Sequence, residues 1–364
     1  MNIEEKIRAV EEEIRKTPYN KATEHHIGML KAKLARLREE AQKRGAKGRI
    51  EGYAVRKTGD ATVVLAGFPS VGKSTLLNKL TNAASPVAEY DFTTLNVIPG
   101  MMEHRGAEIQ ILDVPGLIRG ASSGRGRGKE VLSVIRSADL ILLLIDVFNL
   151  QQLEVLEREL YDTGIRLNGR RPEVKIVRKA QGGVSISSTI ELTKLSKATI
   201  KAVLGEYRIH NADVVVREDI ALEQLIDVVA GNRLYLPSIT VLNKIDLVNE
   251  EYLREVQNLL KKEYIAISAD RGRNLETLRD RIFEKLDFIR VYLKPQGKKA
   301  DVSEPMILRR GFTVGSACDK IHADFQRNFR YAQVWGKSAK FNGQKAGLGH
   351  VLEDGDVLTI VTRK

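Results

Sequence analysis

Apolar and polar positions follow two rhythms along this chain. Near the start, Ile3, Ile7, Val10 and Ile14 recur at spacings of three and four, Pro18-Tyr19-Asn20 interrupts, and Ile27, Leu30, Leu34, Leu37 and Ala41 resume the same rhythm. Such spacing lays one narrow apolar stripe along a helix. Residues 3 to 44 therefore predict a helical hairpin, ended by Gly45 and Gly48 in a basic linker. Whether that hairpin packs on the core that follows stays open. From Thr62 the pattern changes to short apolar runs at Thr62–Ala66, Glu108–Leu112, Leu140–Ile145, Ile239–Leu242 and Tyr264–Ile267. Helical patterns lie at 73–80, 128–137, 250–262 and 274–287. Strands alternating with helices predict a mostly parallel sheet covered on both faces, and the unbroken apolarity of Leu140–Ile145 fits a strand buried on both sides.

One gap exceeds what a crossover needs. Between Asp146 and Asn243 lie 96 residues, where one βαβ unit takes about 30. This stretch predicts an inserted small α/β subdomain, with strand-like pieces at 174–177 and 214–216 and helix-like pieces at 192–204 and 221–229. The tail beyond Arg290 has the size and order of a β-grasp module, with strands at 306–309, 331–335 and 357–361 and a helix across 316–325. The expected divisions are 1–48 for the hairpin, 60–164 with 237–289 for the core, 165–236 for the insertion and 290–364 for the tail.

The net charge of +12 favours a polyanionic partner, and the tail alone carries 14 basic against 7 acidic residues. A basic surface that merely confers solubility is the alternative. The one cysteine, Cys318, builds neither a disulfide framework, and hence no disulfide-linked partner, nor a zinc cluster, and suits a reducing cytoplasm. No apolar run approaches the roughly 20 residues of a membrane span. The first 16 residues hold nine charges, five of them acidic, unlike a signal or transit peptide. The expectation is a cytoplasmic protein with no membrane partner.

The chemistry concentrates in ordered motifs. Gly67, Phe68, Pro69, Ser70, Val71, Gly72, Lys73 and Ser74, followed by Thr75, match the phosphate-loop pattern between a strand and a helix. Glycines let backbone amides surround phosphates, and the helix N-terminus adds its positive dipole end. Lys73 reaches the β- and γ-phosphates, and Ser74 ligates Mg2+. Asp113-Val114-Pro115-Gly116 follows the next strand: Asp113 is expected to hold the metal through water, and the Gly116 amide to meet the γ-phosphate. Asn243-Lys244-Ile245-Asp246, with Ser268-Ala269 after the following strand, reads as a base pocket. The Asp246 carboxylate accepts two hydrogen bonds that guanine supplies and adenine does not, while Lys244 lies along the base and the Ser268-Ala269 backbone meets the guanine carbonyl. Between the first two motifs, Asp91-Phe92-Thr93-Thr94-Leu95 offers a hydroxyl to complete the metal shell when the γ-phosphate is present; Thr94 is preferred, Thr93 is the alternative, and a capping threonine is the plainer reading.

This ordered set resembles the translation-factor class of GTPases, in its Obg-like branch, and the whole chain resembles the developmentally regulated GTP-binding proteins. The resemblance implies an α/β P-loop GTPase core, an N-terminal helical hairpin, an inserted α/β subdomain and a C-terminal TGS domain of β-grasp fold. It implies GTP hydrolysis through Lys73, Thr94 and Gly116. GTP or GDP would be held by residues 67–75, Phe92, Thr93, Thr94, Asp113–Gly116, Asn243, Lys244, Asp246, Ser268 and Ala269, with Mg2+ on Ser74, Thr94 and Asp113. It further implies work on the ribosome or RNA in translation and, in some lineages, a dedicated protein partner. Some members of the class use K+ with an asparagine in the phosphate loop; Ser70 stands there, so K+ dependence stays open, with acceleration the expectation.

Leu117 occupies the place where Ras-like proteins carry the glutamine that orients water. Leucine neither donates nor accepts a hydrogen bond, so slow intrinsic turnover is expected. Residues 116–128 hold five glycines and three arginines. They suggest a loop ordered by GTP or a partner, with Arg119, Arg125 or Arg127 near phosphate, against the alternative of a solvated linker. In the tail, Phe312, Phe325, Phe329, Tyr331, Trp335 and Phe341 read as core, and Arg309, Arg310, Arg327, Arg330, Lys337, Lys340 and Lys345 as an RNA-facing patch. A scaffold using GTP as a structural ligand is the competing function; nucleotide turnover separates the two.

Overall fold

The computed structural model describes residues 2–18, 20, 23–44, 57–81, 98–114 and 134–363. Two units emerge: one takes in the N-terminal helices and residues 158–236, the other the remaining described residues. No described helix is long and apolar enough to cross a membrane.

The larger unit is built on a six-stranded sheet of order β11-β10-β4-β1-β3-β2. Its strands are β1 (Ala61–Gly67), β2 (Ile98–His104), β3 (Ala107–Asp113), β4 (Leu140–Asp146), β10 (Ser238–Asn243) and β11 (Ile265–Ala266). All pair in parallel except β2, which runs antiparallel to β3. β1 and β4 are buried at every position. Leu65, Leu76, Ile109, Leu142 and Val241 interlock on one side with Leu278 and Ile282 of the helix Leu275–Lys285. Burial of this kind stabilises by about 25 cal/mol per Å2 of apolar surface removed from water.

The same unit carries a second sheet, of order β13-β12-β16-β14-β15, made of β12 (Phe288–Leu293), β13 (Met306–Arg309), β14 (Phe329–Trp335), β15 (Gln344–Ala346) and β16 (Asp356–Thr362). Parallel pairing of β12 with β16 in an otherwise antiparallel sheet, crossed by the helix Val314–Ile321, is a β-grasp arrangement. Ile289, Val291, Val314, Cys318, Val334 and Leu358 form its core. Phe283 and Phe288 meet edge to face at 5.6 Å. Asp139, just before β4, accepts from the Thr62 amide, from Lys57 and from Arg309 of β13.

In the smaller unit, α1 (Ile3–Lys16) and α2 (Glu24–Arg44) form the expected hairpin around Val10, Leu30 and Leu37. Asn2 caps α1, with Glu5 answering in a capping box. The far side of α2 places Ala32 against Ile200, Val203, Leu222 and Leu225. These belong to the helices Lys197–Glu206 and Leu222–Ala230, which flank a three-stranded sheet of β6 (Val174–Arg178), β7 (Val184–Ser188) and β8 (Ala212–Val216). β5 (Ile165–Leu167) and β9 (Leu234–Leu236) pair in parallel beside it.

Two sequence expectations shift. The helix expected at 192–204 begins at Lys197, because Ser196 accepts from the Thr199 amide and sets the start. The single helix expected at 316–325 is two, Val314–Ile321 and Ala323–Arg327, separated at His322, whose extended backbone breaks the run. Of the helix expected at 128–137, only 134–137 lies within the described residues, and it is helical.

Candidate functional site

β1 lies between β3 and β4 and delivers Gly67 to the C-terminal edge of the sheet, where ligands of open parallel sheets bind. A side chain at Gly67 would sit 2.5 Å from the Leu144 carbonyl oxygen, so strand packing itself demands glycine there. The chain then turns through Ser70, at φ +63°, and Gly72, at φ +95°. A Cβ on Gly72 would lie 2.4 Å from Asn243 Nδ2. α3 (Lys73–Leu80) starts directly after this glycine with no side chain capping its first amides. Ser74 and Thr75 on that first turn are exposed, as are Pro69 and Ser70, whereas Phe68 and Val71 anchor the loop to the core. Open amides, a helix dipole and a lysine at one place form a trap for a polyanion.

Lys73 Nζ donates to the Gly67 and Phe68 carbonyls, 3.0 Å to each, folding over the loop it would serve. Burial pushes its pKa below the ordinary lysine value, and the nearby Asp113 charge opposes that shift. A phosphate placed in the loop would likewise oppose that shift and favour the charged form by direct attraction.

β3 ends at Asp113, which is buried. Its Oδ2 accepts from the Ser74 hydroxyl at 2.7 Å, and its Oδ1 is buried with no hydrogen-bond partner among the described residues. A buried, unsatisfied carboxylate oxygen is costly, and beside a hydroxyl and a phosphate loop it fits a hard cation that keeps water and phosphate ligands. Mg2+ takes such sites with one or two carboxylates. Accordingly, no cluster of three or more His, Cys, Asp or Glu side chains among the described residues could hold a metal alone. Val114 is buried behind Asp113. Phe92, Thr93, Thr94, Pro115, Gly116, Leu117 and the arginines at 119, 125 and 127 lie outside the described residues.

β10 ends at Asn243, opposite Asp146 of β4 in the parallel register. Both ends of the Asn243 amide are used within the protein: Nδ2 donates to the Val71 carbonyl at 2.8 Å, and Oδ1 accepts from the Ala269 amide at 2.9 Å. This one side chain ties the phosphate loop to the Ser268-Ala269 loop. Lys244 adopts a left-handed backbone, with φ at +66°, and its Nζ lies 3.4 Å from Asp146 Oδ2. Asp146 Oδ1 accepts in turn from the Phe148 amide and Asn149 Nδ2. A 3-10 turn, Ile245–Leu247, buries Ile245 and leaves Asp246 partly exposed. The Ser268 hydroxyl, a hydrogen-bond partner of Asp246, holds that carboxyl below the usual carboxylate range, so it is ionised at neutral pH. Ser268 is buried, and its Oγ accepts from the Arg271 amide at 3.0 Å. The result is a partly exposed, ionised acceptor steadied by Ser268.

Sequence motifs located each of these groups, but not the tie made by Asn243 or the part played by Asp146. The available signal for Asp146 was its place as the first polar residue after an apolar buried strand.

A mostly parallel sheet with a phosphate loop at its carboxyl edge and the Asn243-Lys244-Ile245-Asp246 turn two strands away has the arrangement of a P-loop nucleotide-binding protein of the GTPase class. Residues 62–179 match the family described as 50S ribosome-binding GTPase, 181–288 match the C-terminal region of that domain, and 289–362 match the TGS domain. A GTP-binding protein of Methanocaldococcus jannaschii is 63% identical over 100% of this chain and 94% of its own length. Developmentally-regulated GTP-binding protein 2 of Homo sapiens is 44% identical, with 100% of each chain covered. The structure of the Schizosaccharomyces pombe YchF GTPase superposes with a TM-score of 0.51 over 84% of this chain and 99% of that one, at 16% identity, and shares the fold. The chain belongs to the family of developmentally regulated GTP-binding proteins, a GTP-binding GTPase family with a TGS domain.

Proposed function

We propose that this protein is a cytoplasmic switch that binds GTP with Mg2+, hydrolyses it slowly and acts on the ribosome or its RNA. The observation carrying the reading is the pairing of Ser74 with Asp113 beside a buried carboxylate oxygen that has no hydrogen-bond partner among the described residues. Ser74 and Asp113 would hold Mg2+, joined by Thr94 from the intervening loop. The ion, once bound, would neutralise charge developing on the β- and γ-oxygens. Lys73 would leave its two loop carbonyls for the phosphates, and the amides from Ser70 to Thr75 would surround them. Asp246 would accept from the guanine edge, with Lys244 along the base, while the Ala269 amide is already engaged by Asn243. The Gly116 amide would meet the γ-phosphate.

With Leu117 in place of a polar group, water positioning falls to the backbone, a cation or a partner. Intrinsic turnover on the order of 10⁻⁴ to 10⁻² s⁻¹ is the expectation. The ribosomal part of the reading draws on the match to the 50S ribosome-binding GTPase family, on the TGS domain and on the tail's excess of basic residues. The domain limits 1–48, 60–164 with 237–289, 165–236 and 290–364 belong to the same reading.

Turnover of GTP by the full chain, with and without ribosomes and in potassium and in sodium, tests it. Slow turnover that ribosomes change supports the switch. Turnover in the tens per second for the isolated chain, or a rate indifferent to ribosomes with equal affinity for GDP and GTP, would overturn it in favour of a scaffold.

A further inference from the structure

The β-grasp sheet has one face packed on the helix Val314–Ile321 and another that carries different chemistry. Alternation along β14 sends Ala332 and Val334 into the core and leaves Tyr331, Gln333 and Trp335 on the opposite face, each partly exposed. Lateral register extends that face: Trp335 is opposite Val357 of β16, itself opposite Tyr292 of β12, and Gln333 is opposite Lys345 of β15. Three cations sit against the aromatic rings. Lys294 Nζ lies 4.3 Å from the Trp335 ring centre, Lys345 Nζ 5.0 Å from that of Tyr331, and Arg330 Cζ 6.0 Å from the same ring. Among the described residues none of these three cations has a carboxylate partner, in contrast to Arg290, Arg309 and Arg310, which pair with Asp354, Asp139 and Asp287. The nearby acids are spent internally: Asp354 on Arg290, and buried Asp356 on the amides of Ser338 and Glu353. The side chains of Tyr292, Tyr331, Gln333 and Trp335 make no hydrogen bond among the described residues.

We propose that this face of the C-terminal sheet binds single-stranded RNA, with bases stacked on Tyr331 and Trp335 and phosphates met by Lys294 and Lys345. The proposal rests on the RNA reading above and gives it a place and a mode. Sheets presenting two or three aromatic positions bind unpaired bases in this way, and a duplex hides the ring faces that they need. Four residue steps along the strand put Tyr331 and Trp335 about 13 Å apart, with the Gln333 amide between them to meet a base edge. The exchange is favourable in size. A cation over an exposed ring is worth only about 2- to 5-fold in an equilibrium constant, whereas base–aromatic stacking is worth about 5- to 150-fold per base. A base can therefore displace each lysine from its ring, and the freed ammonium then meets the adjacent phosphate. An acidic peptide would use the lysines but leave the ring faces and the amide unused.

Trp335 is the only tryptophan of the chain, so its emission reports on this face alone. The full-length protein is titrated with a short oligouridylate, with duplex RNA of the same length and with polyglutamate, following tryptophan emission alongside the anisotropy of end-labelled RNA. Quenching by the single strand, with much weaker quenching by the duplex and by polyglutamate, is expected. Tyr331→Ala should weaken single-strand affinity by about 5- to 150-fold, with Tyr331→Phe retaining it, and Lys345→Ala should lower the slope of log affinity against log salt by about 0.7. Each variant should bind GTP as the parent does, which excludes misfolding. RNA binding with unchanged emission and full affinity in Tyr331→Ala overturns the assigned face while leaving the RNA reading standing. Absence of RNA binding overturns both. Equal quenching by duplex overturns stacking, and equal quenching by polyglutamate assigns the face to an acidic protein segment instead.

Discussion

Ser74 and Asp113, 39 positions apart in the chain, meet at 2.7 Å between Oγ and Oδ2. One opens a helix and the other ends a strand, and the parallel pairing of β1 with β3 sets their register: Leu65 lies opposite Asp113. Beside that contact the other Asp113 carboxylate oxygen has no hydrogen-bond partner among the described residues, which suits the proposed cation site formed together with the nucleotide.

Ser74→Ala should accordingly reduce GTP affinity in Mg2+ by about 10- to 100-fold, the loss common when the surroundings of a bound metal are altered. Affinity in excess chelator should change little. Fluorescence of a labelled nucleotide, titrated with and without Mg2+, measures the ratio. An unaltered ratio would remove Ser74 from the metal site.

Asn243 makes a separate prediction about architecture. Asn243→Ala leaves the Val71 carbonyl and the Ala269 amide buried without their partner, at about 1–3 kcal/mol each. The thermal midpoint should fall and nucleotide affinity should fall with it, because two loops lose one tether. Asn243→Asp preserves the bond to Ala269 but turns an oxygen towards the Val71 carbonyl, so it should not rescue. Loss of affinity without loss of stability would instead make Asn243 a direct base contact.

Base selection is proposed to rest on Asp246. The hydrogen bond with Ser268 holds that carboxyl below the usual carboxylate range, and guanine would present two donors to it. Asp246→Asn replaces an acceptor with a donor, so the site should come to prefer xanthosine over guanosine triphosphate in competition binding. Undiminished preference for GTP would place the base elsewhere.

Much of this was legible because the chemistry is local. A phosphate loop needs glycine at Gly67 and Gly72 for reasons of contact and backbone angle, and those reasons write a spaced motif. β4 was visible as an unbroken apolar run because both of its faces are covered. β2 was not: Pro99 and Gly100 interrupt its pattern, and only pairing with β3 makes it a strand. The roles of tail residues were hidden for the same reason. Tyr331 and Trp335 read as core by composition, yet register places them on the face opposite the core. Arg309 reads as part of an RNA-facing patch, yet it is bonded to Asp139.

That last contact has a pH consequence. Burial alone would raise the Asp139 pKa, but hydrogen bonds from Thr62, Lys57 and Arg309 outweigh it and hold the carboxyl below its ordinary value. A depressed pKa adds stability above the unfolded value of about 3.9, and this is lost as pH falls through the lower folded value. Asp139→Asn should therefore be less stable than the parent at neutral pH by about 1–3 kcal/mol, with the difference shrinking in acid. Denaturant unfolding at both ends of that range checks it; a difference independent of pH would contradict the assignment.

The central claim is that a cradle of amides and Lys73 grips a guanosine polyphosphate chosen by Asp246. Calorimetric titration of the purified chain with GTP in Mg2+ tests it most directly. The account predicts one site for GTP or GDP and no measurable heat from ATP at the same concentration. No uptake of either guanine nucleotide, or equal uptake of ATP, would contradict it.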